Sequence, residues 1–153
     1  MLRVALTPST PVMVNKFVIG ANAVSESKGT FLNKAAAEGR HVLFLDADDH
    51  LLPTALETGL VQLERHPEAG FCVGAREEMT YDGEPVPWEV GAPPESTPLY
   101  APLLAFDWYI IPPSSVMFRR EVVAGVGGFR NPWGADDLDF YLFVSRQFKA
   151  WCQ

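Results

Sequence analysis

The stretch His41-Val-Leu-Phe-Leu-Asp-Ala-Asp-Asp-His50 constrains the fold of this chain more than any other: an apolar run of strand length stops abruptly at three carboxylates within four positions. Clustered carboxylates are costly to bury without a compensating cation. The strand must therefore end at a surface or at a cation. In an open α/β sheet, ligands sit beyond the carboxyl ends of the strands, and hard divalent metals favour carboxylate oxygens. Asp46, Asp48 and Asp49 accordingly point to a metal-dependent site at a strand end.

The surrounding pattern supports an α/β class. Apolar runs of strand length alternate with segments of helical period, as in βα units. Strands are predicted over 17–20, 42–45, 70–74 and 114–118, and helices over 29–38, 120–126 and 137–148. Gly39 is the residue type favoured just past a helix end. Pro53 and Thr54 open a further helix in which Leu56, Leu60 and Leu63 recur at spacings of four and three, placing one stripe on the sheet before His66-Pro67 closes it. Tyr81-Asp-Gly83 is a turn signal, and the proline-rich stretch 86–102 reads as a long surface loop. In the last helix Phe140, Tyr141 and Phe148 are placed to pack inward.

Composition excludes several classes. With 153 residues and 48% hydrophobic content, one core and one domain are expected. Nineteen acidic side chains against 12 basic ones, with no basic run, argue against a nucleic-acid partner. Cys72 and Cys152 are far apart and lack zinc or redox spacing, which fits reduced thiols in the cytoplasm. No stretch is apolar for the roughly 18 residues of a membrane span, and 1–14 lacks the pattern of a signal peptide. Any membrane association, at the inner face, would come through partners.

Several segments together carry a family resemblance. Phe44-Leu-Asp-Ala-Asp-Asp49, Leu52-Pro53, a helix ending in His66-Pro67, Gly70-Phe-Cys-Val-Gly74 and Asp82-Gly83 resemble the middle of a family 2 glycosyltransferase. Phe118-Arg-Arg120, Gly127-Gly-Phe129 and Asp136-Asp-Leu-Asp139 are similar to that family's downstream block in order and approximate spacing. A lone Asp-x-Asp carries little information; the ordered set carries much more.

The resemblance implies a Rossmann-like glycosyltransferase A fold, a nucleotide-sugar donor, and transfer to an acceptor hydroxyl with inversion. A divalent cation, Mg or Mn, would stabilise the departing nucleoside diphosphate as a Lewis acid. Asp46 and Asp48 would bind donor and metal: Asp48 by direct coordination, Asp46 nearer the ribose and a metal-bound water, with Asp49 orienting the turn. Inversion requires a general base, which the family draws from the block matching Asp136-Asp137-Leu-Asp139, and Asp137 is assigned that role. Asp136 stands where the family often has Glu. Gly127, Gly128 and Trp133 would shape the acceptor pocket, since glycine admits close backbone approach and an aromatic face suits a sugar. The acceptor class, whether carbohydrate, lipid-linked or protein, is left open.

Plainer readings stand beside these. Acidic residues after a strand often serve a solvated helix start, where carboxylates favour the dipole, and one of Asp136, Asp137 and Asp139 could simply cap a helix. Gly127-Gly128 could be only a turn and Trp133 a packing residue. His50 could be an extra ligand or a solvated neighbour, and Arg119 and Arg120 could bind diphosphate or lie on the surface.

The resemblance runs from about residue 17 to 153, and nothing in 1–16 matches the family's opening nucleotide-binding strands. It implies an interior, partial catalytic domain with unpaired strand edges, for which Met1-Leu-Arg-Val-Ala-Leu6 could supply one substitute strand. Two alternatives follow. One is a non-catalytic glycosyltransferase remnant that binds or oligomerises. The other is a phosphatase of the haloacid dehalogenase kind, whose nucleophile strand Phe44-Leu-Asp46-Ala-Asp48 also resembles, although His50 stands where that family has Thr or Val and Lys149 follows the second acidic cluster.

Overall fold

The computed structural model describes residues 17–21, 39–45, 49–80, 82–87, 98–106, 113–129 and 136–152, with the backbone alone described for 17–21 and Asp136. The helix expected over 29–38 and the strand expected over 1–6 lie outside these residues.

Strands β1 (Phe17–Ala21), β2 (His41–Leu45) and β3 (Ala69–Val73) form where short apolar, β-branched and aromatic runs occur. Helix α1 (Ala55–Arg65) lies between β2 and β3. A two-stranded hairpin, β4 (Glu78–Met79) and β5 (Pro85–Val86), turns through Gly83 at φ 86°. Next come α2 (Tyr100–Ala105) and, after a 3-10 turn at Pro113–Ser115, β6 (Val116–Arg119), which runs directly into α3 (Arg120–Val126). Helix α4 (Asp136–Gln147) and strand β7 (Lys149–Cys152) follow.

The main sheet has the order β1-β2-β6-β3-β7. β1 is parallel to β2, β6 is antiparallel to both β2 and β3, and β7 is parallel to β3. Four strands therefore run one way and β6 alone runs the other. The molecule is a mixed α/β structure with a mixed sheet, a departure from a simple series of parallel βα units. β6 enters at the carboxyl edge, where the Gly74 N–H donates to the Ser115 carbonyl at 2.8 Å, and it leaves at the opposite edge, where the Arg120 N–H donates to the Arg40 carbonyl at 2.9 Å.

Alternation along the strands divides the core between two faces. Val42 and Phe44, Phe71 and Val73, and Val116 and Phe118 face α2, α3 and α4, where Phe140, Tyr141 and Val144 are also buried. Phe118 lies at the centre of this layer, its ring centroid 5.5 Å from Phe71 and 5.2 Å from Phe140. Cys72 and Met117 point the other way, toward Leu63 of α1 with Leu56 and Leu60 beside it, so the leucine stripe of α1 does lie on the sheet.

A β-bulge between Ala69 and Phe71 explains an exception to the alternation. Ala69 and Phe71 are two residues apart yet belong to opposite layers, because Gly70 is an extra residue that reverses the facing of the strand. One expectation needs correction. Helix α2 starts inside the stretch read as loop, because Leu99 and Leu103 are fully buried and Pro102 falls within its first turn, where a missing N–H costs little. The final strand β7 was not anticipated at all.

Candidate functional site

The carboxyl edge is where β1, β2, β3 and β7 all end, and it collects the chemistry-bearing segments. β2 stops at Leu45, and Asp46 and Asp48 lie outside the described residues. The chain is described again at Asp49, and buried Leu51 anchors it before α1 begins. The Ala55 N–H donates to the Leu52 carbonyl at 2.9 Å, and Thr54 occupies the N-cap without a side-chain cap bond.

Asp49 is half-buried, and its Oδ2 is inaccessible to solvent with no hydrogen-bond partner among the described residues. The expectation that Asp49 orients the turn is not met through this oxygen. A carboxylate oxygen removed from water without a donor is destabilising, and a hard cation would relieve it. Asp49 Oδ2 is thus chemically suited to a divalent metal as one oxygen donor. Among the described residues, no three His, Cys, Asp or Glu side chains converge as a metal cluster.

The second acidic block reaches the same edge from the other face. α4 runs antiparallel to its neighbouring strands. Near its start, Phe140 lies 6.1 Å from Phe44, next to the end of β2. At its far end, Phe148 packs against Gly70 at the start of β3. The N-terminus of α4, which carries Asp136, Asp137 and Asp139, is therefore at the carboxyl edge. Asp137 is half-buried, and its Oδ1 accepts the Leu138 N–H at 2.8 Å, a local bond that fixes the side chain beside the helix start.

Gly127 and Gly128 have a backbone role. Their φ values of 94° and 74° fall in the left-handed region, which favours glycine, and both positions close α3. The Gly128 N–H donates to the Val123 carbonyl at 3.2 Å. This turn delivers Phe129 between Phe44 and Phe140, at centroid distances of 5.0 and 4.4 Å. Trp133 lies outside the described residues.

Arg119 is corrected away from diphosphate binding. It sits at the edge opposite the acidic segments, with Nε donating to the Ala69 carbonyl at 2.8 Å and a terminal nitrogen to the carbonyls of Leu63 and His66 at 2.5 and 3.3 Å. It closes the C-terminus of α1. Arg120, exposed at the start of α3, is at that same far edge.

The sequence gives no direct sign of a cleft of about 230 Å3 on the α1 side of the carboxyl edge. Leu43, Cys72 and Met117 form its floor, and Ala55, Thr58 and Gly59 of α1 cover it. The hydroxyl-bearing residues Thr54, Thr58, Ser114 and Ser115 also line it. Burial pushes the Cys72 thiol up to about 12, so the group stays protonated and is no ready nucleophile. The small residues at 55, 58 and 59, spaced as one helical face, were the available signal for this space.

The chain matches no protein-family model and none of the curated proteins.

Proposed function

We propose that this chain is the catalytic segment of a metal-dependent inverting glycosyltransferase, built on a partial glycosyltransferase A type fold and acting in the cytoplasm. The observation that carries the reading is that β2, followed by Asp49, ends at the same sheet edge at which α4 starts with 136–139. The ordered motifs that resemble family 2 glycosyltransferases support it, as does the unpartnered oxygen of Asp49.

In this reading Asp48 would coordinate Mg or Mn, Asp46 would serve the donor nearer the ribose and a metal-bound water, and Asp49 Oδ2 would be a further oxygen donor. The cation supplies Lewis-acid stabilisation of the departing nucleoside diphosphate. Asp137 accepts the proton of the acceptor hydroxyl. The acceptor oxygen bonds to the anomeric carbon as the bond from that carbon to the diphosphate breaks, on the opposite face of the sugar. The Leu138 N–H orients the Asp137 carboxylate for this step.

The test is release of nucleoside diphosphate from a panel of nucleotide-sugars with Mn or Mg, paired with a donor-binding measurement. Asp48→Asn is expected to abolish metal-dependent donor binding. Asp137→Asn is expected to lower transfer by about 100-fold or more while sparing donor binding. A folded chain that neither binds nor hydrolyses any donor overturns the proposal, and phosphate release from a generic phosphomonoester, lost in Asp46→Asn, replaces it with a phosphatase.

A further inference from the structure

The cleft beneath α1 exists because of a change in side-chain size along one helix face. Ala55, Thr58 and Gly59 cover the sheet near the carboxyl edge, whereas Leu63, one turn further on, is fully buried and fills the gap. Gly59 also sets how closely the helix approaches: a Cβ there would lie 2.8 Å from Met117 Cε. The space is therefore closed toward the far edge. At the carboxyl edge, Leu51 and Leu52 line it, two and three positions after Asp49.

The lining determines which ligand chemistry fits. Among the described residues that line the cleft there is no Asp, Glu, Lys, Arg or His. Its one titratable group, the Cys72 thiol, is held neutral by burial. An ion entering the cleft would shed its hydration with no opposite charge among the described lining residues to meet it. Leu43, Leu51 and Met117 favour an apolar body, and the lining threonines Thr54 and Thr58 suit a polar end. In size the cleft exceeds the roughly 150 Å3 cavity that holds a benzene ring and falls below the approximately 300 Å3 where drug-sized pockets begin. One ring or a short alkyl chain is the matching occupant.

We propose that this cleft receives the apolar body of the acceptor, a small neutral alcohol or phenol whose hydroxyl lies at the mouth, on the side of Leu51 and Leu52. The assignment of this occupant as acceptor rests on the glycosyltransferase reading. It makes the acceptor a hydrophobic aglycone, in contrast to an oligosaccharide or a charged metabolite.

The experiment is a titration of the full chain, without donor or metal, with benzyl alcohol, benzoate and benzylammonium, followed by chemical-shift changes. Benzyl alcohol is expected to bind saturably, and the two ions at least about tenfold more weakly. Ala55→Leu, which fills the space from a half-buried helix position, is expected to lower benzyl alcohol affinity by about tenfold or more with the circular dichroism spectrum retained. Thr58→Leu serves the same purpose if Ala55→Leu does not fold. Equal binding of the three probes, unchanged affinity in the filled variant, or no binding of benzyl alcohol overturns the proposal.

Donor hydrolysis separates the two readings. Donor release without benzyl alcohol binding sinks the cleft proposal and leaves the glycosyltransferase reading standing. Benzyl alcohol binding in a chain that uses no donor overturns the acceptor role. Formation of a benzyl glycoside, lost in the filled variant, supports both.

Discussion

Gly70 and Gly125 show how differently one residue type can be constrained. A Cβ at Gly70 would meet Phe148 Cβ at 2.7 Å and Val122 Cγ2 at 3.0 Å, atoms held close to the backbone that have little freedom to retreat. Gly70→Ala is expected to lower stability by about 1–3 kcal/mol, through overpacking at the bulge. A Cβ at Gly125, inside α3, would meet nothing within 4 Å. Gly125→Ala is expected to raise stability by about 0.5–1 kcal/mol, because alanine loses less backbone freedom in a helix. Urea midpoints of the two variants check both signs. Neither role is legible in the sequence, where Gly70 is only the first residue of an apolar run. The left-handed backbone at Gly127 and Gly128 was more accessible, since paired glycines after a helical segment signal its end.

At the scale of elements, α1 shows what a pattern can and cannot reveal. Its leucine spacing and its Pro53-Thr54 and His66-Pro67 boundaries are local signals, and the helix forms between them. The cap that closes it is not local, because Arg119 lies fifty or more residues downstream of the carbonyls it binds. Arg119→Met is expected to destabilise the protein by about 2–3 kcal/mol by leaving carbonyls at the helix end without donors. Arg119→Lys is expected to recover less than half of that loss, since a single ammonium cannot reproduce the planar fork. Chemical denaturation of the two variants distinguishes lost geometry from lost charge. The direction of β6, the short β7 and the start of α2 were illegible for a related reason. Four residues carry too little periodicity to define a strand, and strand direction depends on neighbours distant in sequence.

At the scale of the whole molecule, pH acts through His41. Its ring is buried at the start of β2, and desolvation, reinforced by Arg119 and Arg40, lowers its pKa below 6.5. Between that lowered value and 6.5, the unfolded chain binds a proton that the folded chain refuses. Folding stability is therefore complete above 6.5 and falls as pH drops through this window. Urea denaturation at pH 7.5 and 5.5 is expected to show the decrease, and His41→Gln is expected to flatten it. The candidate site was partly legible at this scale too. The two acidic blocks could be read from the sequence, but their arrival at one edge depends on the course of α4. The cleft arises from a match between helix and sheet that no single segment encodes.

The reversed strand β6 has a consequence for synthesis. β2 and β3 never touch in the sheet; each finds its shared neighbour only in Val116–Arg119. A ribosome that has released β2, α1 and β3 has made two hydrophobic ribbons with no partner between them, and they must wait until Arg119 has emerged. The edge at which β2 ends is thus synthesised well before the strand that joins it to β3.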